Sequence, residues 1–294
     1  MVYFLSNLVN GITLGSVYAM IALGYSMVYG IAKMLNFAHG DVIMVGAYVC
    51  FCAVQYWNLP PAAAVLVSMI VSTLLGVLIE GLAYRPLRQA TSLAVLITAI
   101  GVSYLLQNLA LLIWGATPVI FSSVVPDFKV RLLGGDLIIT SAAIFTVLAA
   151  VAVMIALTLF VSRSRTGKAM RAVSEDRGAA ELMGISVNRT ISVTFAIGSA
   201  LAAVAGVLLC STYPTLTPTT GSLPGIKAFT AAVFGGIGSI PGAMLGGLLL
   251  GLIEIFGRSY ISSELGDAIV FAVLIIVLLV RPTGLLGKPV REKV

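Results

Sequence analysis

Apolar residues along this chain come in runs too long to form one face of a helix or strand. Mostly apolar stretches cover roughly 9–30, 41–57, 62–83, 92–114, 140–161, 191–211 and 261–280. An α-helix needs about 20 such residues to cross the hydrocarbon core of a bilayer, so each run predicts a membrane-spanning helix. Glycine and proline inside the runs fit that reading, because neighbouring helices satisfy the backbone groups they free. The pattern predicts an all-α chain. It would be a polytopic transmembrane bundle of about eight spans in a single domain over 1–294, with some helices broken and one charged helix outside the lipid.

Positive charge between the runs orients them, since loops on the cytoplasmic side are enriched in Lys and Arg. The loop YRPLRQ carries Arg85 and Arg88, and the segment Arg163–Arg189 carries six of the 17 basic residues. The tail RPTGLLGKPVREKV carries Arg281, Lys288, Arg291 and Lys293. All three places are assigned to the cytoplasm, so the C-terminus lies inside. Counting back from Arg85 puts Lys33 inside and the N-terminus outside. Counting forward, the run 191–211 ends outside and the last run begins outside. The stretch 225–256 must then enter and return within 32 residues, whereas two full crossings take about 40. Its middle reads GGIGSIPGAMLGG, with Gly235, Gly236, Gly238, Pro241 and Gly242. This predicts two half-spans meeting at a glycine-proline turn that faces protein or a water-filled cavity rather than lipid. The alternative is one long tilted helix with an external tail.

Small residues recur every four positions at Gly238, Gly242 and Gly246, at Gly247 and Gly251, and at Gly11, Gly15 and Ala19. That spacing lets helix backbones approach closely, first of all within one subunit. The first run breaks after GYSMVYG, and Asn36, His39 and Asp41 stand where a helix restarts. Asp41 suits a helix N-terminus, where a carboxylate meets free N–H groups and the positive end of the dipole; a role toward substrate or proton is the other reading. Among remaining polar positions, Glu80 lies about a turn from Arg85 and is expected to reach the interface. Glu254 and Arg258, four apart, can pair on one helix face. Gln107 and Asn108 within 92–114 are expected to face the bundle interior.

Composition sharpens the picture. The 294 residues are 60% hydrophobic and 10% charged, where soluble domains carry roughly a quarter charged residues. The net charge of +6 comes from basic residues clustered between apolar runs, so it reads as topology and no nucleic-acid partner is expected. Cys50, Cys52 and Cys210 sit within apolar runs and form no metal or disulfide framework. His39 is the only histidine, so a histidine-based metal or catalytic centre is not expected, nor is any cofactor. No Lys or Arg precedes the first apolar run, which argues against a cleaved signal peptide.

Charge concentrates in one place. Arg163–Arg189 holds six of the 17 Lys/Arg and three of the 11 Asp/Glu. Within it Ser174 can cap a helix, Glu175 and Asp176 suit a first turn, and Gly184 suits a stop. Ala179, Ala180, Leu182 and Met183 supply an apolar face, and Glu181 sits among them. The result is a short amphipathic helix outside the lipid. It either rests on headgroups or docks a soluble partner, and its mixed charges fit a protein groove better than an anionic membrane.

Three stretches carry a family resemblance. TGKAMRAVSEDRGAAELMGI resembles the coupling loop of ABC-importer permeases of the branched-chain amino acid family. LNFAHGDVIMVGAYV resembles that family's early signature, and PGIKAFTAAVFGGIGSIPGAMLGGLLLGLIE its late one. Together they span residues 35 to 254, and the single-domain length is similar to the H-type permease, the shorter of the family's two membrane subunits. The resemblance implies about eight membrane segments in the bacterial inner membrane and a permease that hydrolyses nothing. The chain has no GxxxxGK[ST] phosphate loop, in keeping with that. It further implies two cytoplasmic ATP-binding subunits, a second permease, and a periplasmic binding protein delivering leucine, isoleucine or valine. ATP-driven closure would push on the coupling helix around Ser174–Gly184.

A branched-chain amino acid has an apolar side chain and two opposite charges. Its path needs apolar walls and a few dipoles, which broken helices supply at their ends. The break at Asn36, His39 and Asp41 and the turn at Gly235, Gly236, Gly238 and Gly242 are the candidate pathway-lining positions. Three rivals remain at this point: a sister ABC permease for urea, amides or another small solute, an ion-coupled secondary transporter, and a purely structural membrane subunit. The second needs intramembrane acids, for which only Asp41, Glu80 and Glu254 are available; polar breaks within the spans argue against the third.

Overall fold

The computed structural model describes residues 1–132 and 135–287. Lys288, Arg291 and Lys293 of the basic tail lie outside the described residues. The chain forms helices α1 (Val2–Ala32), α2 (His39–Gln55), α3 (Pro61–Ile79), α4 (Ser92–Trp114), α5 (Ser141–Arg163), α6 (Arg165–Glu175), α7 (Arg177–Leu182), α8 (Val187–Thr212), α9 (Ser222–Gly235), α10 (Ile240–Tyr260) and α11 (Gly266–Val280). A π-helical turn, Glu80–Tyr84, extends α3. Two small antiparallel ladders cover one end of the bundle. In them β2 (Lys129–Leu132) pairs with β3 (Leu137–Thr140), and β1 (Val119–Ile120) pairs with β4 (Thr215–Leu216).

Six of the described helical stretches are long and apolar enough to cross a membrane, and the apolar helices α2 and α11 are shorter. These eight correspond to the predicted spans, and α9 is an additional short insertion. The seven single runs each become one helix. α1 starts earlier than expected and is 31 residues long, while α11 starts later and is 15. Short polar side chains set several starts. Thr91, Thr140, Ser164, Ser186 and Ser239 each accept a hydrogen bond from the backbone N–H three residues on, satisfying a donor that the helix itself leaves open.

The stretch 225–256 is two helices, as expected, but not two halves. α9 has 14 residues and α10 has 21. At 1.5 Å per residue only α9 falls well short of a full crossing. The turn between them is built on left-handed backbone at Gly236 (φ 109°) and Gly238 (φ 90°). The chain after α11 returns to this turn, where Leu285 N–H and Leu286 N–H donate to Phe234 O and Gly235 O, each at 2.9 Å.

α1 is the axis of the bundle. It is almost wholly buried, and it packs along α10 and against α8, α9 and α5. The α1–α10 contact is the small-residue zipper read from the sequence. A Cβ on Gly251 would stand 2.2 Å from Gly15 N, one on Gly247 2.4 Å from Ala19 Cα, and one on Gly15 2.8 Å from Leu248 O. Here the stripes serve packing within the subunit. The outer helices α4 and α5 bury little of themselves, which leaves long apolar faces for lipid or another subunit.

Candidate functional site

The charged segment folds into two helices rather than one. The pattern predicts a start at Ser174, but that serine lies in the last turn of α6, its Oγ donating to Arg171 O at 2.7 Å. Glu175 is the last residue of α6 and not in a first turn. The cap is Asp176, on extended backbone (φ −155°, ψ 115°), whose carboxylate accepts from Ala179 N at 3.0 Å. An extended residue must interrupt the helix, and a carboxylate is as good an N-cap as a hydroxyl, so the boundary moves two residues along. α6 lies on the end of α5, with Gly167, Met170 and Val173 buried. Arg171 Nη2 donates to Ser162 O at 3.1 Å.

α7 ends as predicted at Gly184, with φ 79°. Ile185 N bonds back to Ala180 O at 2.9 Å, the pattern of a glycine-closed helix end. Ala180 is buried, whereas Leu182 and Met183 are 91% and 81% exposed. Ala179 and Glu181 are also exposed. A shallow cleft of about 240 Å³ lies between α6 and α7, lined by Ala172, Glu175, Asp176, Ala179, Ala180, Met183 and Ile185. The element thus presents two bare apolar side chains on a capped, rigid knob. Arg177, at its start, donates from Nη2 to Ala32 O at the end of α1. Burial, and secondarily the neighbouring Arg88, pull the Arg177 guanidinium below its ordinary pKa.

The α1–α2 break is buried and polar. Asn36 Oδ1 accepts from Tyr84 OH at 2.9 Å. His39 stacks edge-on against Tyr25 with ring centroids 4.6 Å apart. Its Nε2 has no hydrogen-bond partner among the described residues and points at Gly24, where a Cβ would come within 2.6 Å. Asp41 occupies the first turn of α2, but no side chain caps that helix. Its Oδ1 accepts from Gln107 Nε2 of α4 at 2.9 Å, and Gln107 Nε2 also lies 3.2 Å from Ser222 Oγ at the start of α9. The carboxylate expected to serve the helix end thus also makes an interhelical bond, to Gln107 of α4. Asn36, His39 and Asp41 are all sealed from solvent in this conformation.

The α9–α10 turn is held to α1. Gly238 N donates to Ser26 Oγ at 2.8 Å, and a Cβ on Gly30 would stand 3.1 Å from Gly238 Cα. Gly235 and Gly242 press together closely enough that a Cβ on Gly235 would meet Gly242 O at 1.9 Å. Gly235, Gly236 and Gly242 are buried and Gly238 is exposed. The break and the turn both border the last third of α1, at Gly24 and at Ser26–Gly30. They share no hydrogen bond among the described residues.

Other polar predictions divide. Glu254 and Arg258 pair at 2.8 Å, as expected. Glu80 is buried within the protein, paired with Arg88 rather than with the nearer Arg85, and accepts from Ser192 Oγ at 2.6 Å. Arg88 also meets Asn188, so it satisfies partners on both α3 and α8 that Arg85 does not. Gln107 turns inward, but Asn108 is exposed and donates to Tyr104 O at 2.7 Å, a bond that shields its amide without a second helix. A charge cluster centred on the buried Lys227–Glu254 pair went unread. Lys227 of α9 bonds Glu254 Oε1 at 2.7 Å and Asp267 Oδ1 at 2.6 Å, while Tyr18 OH donates to Glu254 Oε2 at 2.9 Å. The available signal was a lone lysine inside an apolar run, since ionisable residues at membrane depth are rare without partners.

Comparison with known proteins fits this architecture. Residues 7–278 match the family model described as the branched-chain amino acid transport system permease component. The chain belongs to that family. The permease is 48% identical to the high-affinity branched-chain amino acid transport system permease protein LivH of Salmonella typhimurium, covering 99% of this chain and 98% of the relative. It is 48% identical to BraD of Pseudomonas aeruginosa and 47% to LivH of Escherichia coli, with the same coverage in both cases. The solved structure of PsaBC from Streptococcus pneumoniae in complex with Fab shares the fold of the permease. The match has a TM-score of 0.50 at 14% identity, over 93% of this chain and 91% of that one. The permease is thus a polytopic membrane protein of the H type, a membrane subunit of an ABC importer. Among its described residues, no group of three or more His, Cys, Asp or Glu could hold a metal ion.

Proposed function

We propose that this permease carries leucine, isoleucine and valine across the bacterial inner membrane as one membrane-spanning half of an ATP-driven importer. The observation that carries this reading is 48% identity, from end to end, with a permease named for high-affinity branched-chain amino acid transport. The geometry supports the division of labour. The α6–α7 knob offers Leu182 and Met183 to a groove on a cytoplasmic ATP-binding subunit, in the manner of an amphipathic helix laid into an apolar cleft. Ser174, Glu175, Asp176, Ala179, Ala180, Glu181 and Gly184 shape the knob around them. Two such ATPases, a second permease and a periplasmic binding protein complete the machine, and this chain itself catalyses nothing.

The knob, Arg85 and Arg88, and the basic tail face the cytoplasm by their positive charge. The β2–β3 hairpin and the N-terminus then face the outside. Substrate passes beside the α1–α2 break and the α9–α10 turn, where Asn36, His39, Asp41, Gly235, Gly236, Gly238 and Gly242 offer dipoles and close backbone. These positions are sealed in the present conformation and open when the spans rock.

Radiolabelled leucine uptake in a strain lacking this gene tests the proposal. The intact permease restores uptake that depends on ATP and resists uncouplers. Uptake abolished by uncouplers with ATP intact would assign the chain to ion-coupled transport instead. Gly238→Val is expected to cut uptake at least several-fold while leaving assembly intact, because φ 90° is strained for a branched residue. Unchanged uptake in that variant removes the turn from the pathway.

A further inference from the structure

The carboxyl end of a helix leaves carbonyl groups without intrahelical partners and gathers the negative pole of the helix dipole. In α1, the most enclosed helix here, that end has no basic residue in its last turn. The next residue, Lys33, lies on left-handed backbone (φ 52°) and is exposed. A cation arrives from elsewhere: Arg177, the first residue of α7, donates to Ala32 O. A guanidinium–carbonyl bond of this kind is charge-assisted and stronger than a neutral one.

We propose that Arg177 is the positioning residue through which displacement of α7 enters the bundle, by holding the carboxyl end of α1. The inference rests on the reading of α7 as the element gripped by the ATPase. Leu182 and Met183 point out toward that partner, and Arg177 points in. From Ala32 the connection runs back along rigid helix to Gly30 and Ser26, which hold the α9–α10 turn at Gly238. A push on the knob therefore reaches the glycine turn through one side chain and two turns of helix. Among the described residues, α6 makes no comparable bond to α1, and its Arg171 bonds α5 at Ser162 O.

The test uses the complete transporter, both permeases, both ATPases and the loaded binding protein, in proteoliposomes with radiolabelled leucine. Arg177→Lys, Arg177→Gln and Arg177→Ala are compared for co-purifying ATPase, ATP hydrolysis and leucine moved per ATP. Arg177→Ala and Arg177→Gln are expected to keep the ATPase bound and hydrolysing while leucine per ATP falls roughly tenfold, within the usual range of coupling between sites. Arg177→Lys, which keeps a charged donor, is expected to retain most of the ratio. An unchanged ratio in all three variants overturns the inference. Loss of the ATPase from all three also overturns it, because Arg177 would then belong to the docking face. The underlying reading fails separately: a permease carrying Leu182→Asp and Met183→Asp that still binds the ATPase shows that α7 is not the grip.

Discussion

At the scale of single residues, glycine does opposite things at positions that look alike in sequence. Gly251 stands where a Cβ would lie 2.2 Å from Gly15 N and 2.8 Å from Gly11 O, both backbone atoms that cannot swing aside. Gly101, in the middle of α4, has nothing within 4 Å of such a Cβ. Gly251→Val is therefore expected to force α1 and α10 apart and to cost about 1–3 kcal/mol or more by overpacking. Gly101→Ala should be neutral, or stabilising by about 0.5–1 kcal/mol through backbone entropy. Thermal melting of the purified permease in detergent separates the two, and equal melting temperatures would mean the zipper is not the contact that holds these helices.

At the scale of elements, the weakly enclosed α11 is tied down by charge. Among the described residues of α11 only Gly266 and Val270 are buried, so apolar packing alone fixes little of it. Lys227 joins α9 to α10 through Glu254 and to α11 through Asp267, and Arg258 bonds the same two acids at 2.8 and 2.9 Å. Tyr18 extends the cluster to α1. Removing one partner of a buried ion pair strands the other, at a cost of about 3–5 kcal/mol. Lys227→Met leaves Glu254 and Asp267 to share Arg258, one negative charge in excess, and is expected to destabilise by up to that order. Glu254→Gln in the same chain should recover part of the loss, because the excess negative charge goes with it and Arg258 keeps Asp267. A double mutant less stable than Lys227→Met alone would contradict this account of the cluster.

At the scale of the whole molecule, helix direction divides the polar surface between two ends. The α6–α7 knob lies where α5 ends and α8 begins, and the β2–β3 hairpin lies where α4 ends and α5 begins, one span away. Single cysteines introduced at Glu181 and at Asp136, with Cys50, Cys52 and Cys210 replaced by alanine, are expected to react with a membrane-impermeant maleimide from opposite sides. Glu181 should label only in inverted vesicles. Labelling of both from one side would break the span count on which the orientation depends.

Most of this architecture was legible because long apolar runs and glycine spacing are local signals that lipid enforces everywhere. The runs predicted the helices, GGIGSIPGAMLGG predicted the reversal, Gly11–Gly15–Ala19 predicted close packing, and Gly184 predicted the end of α7. Three-dimensional packing decided what depends on residues distant in the chain. Asp41 became a partner of Gln107, and Glu80 chose Arg88 over the nearer Arg85. Lys227 found acids 27 and 40 positions away, and Arg177 found a carbonyl 145 positions away. Burial in an apolar medium compels a span, whatever surrounds it. A polar group inside that medium must be satisfied by whichever partner the fold brings near, and nothing local in the sequence names that partner.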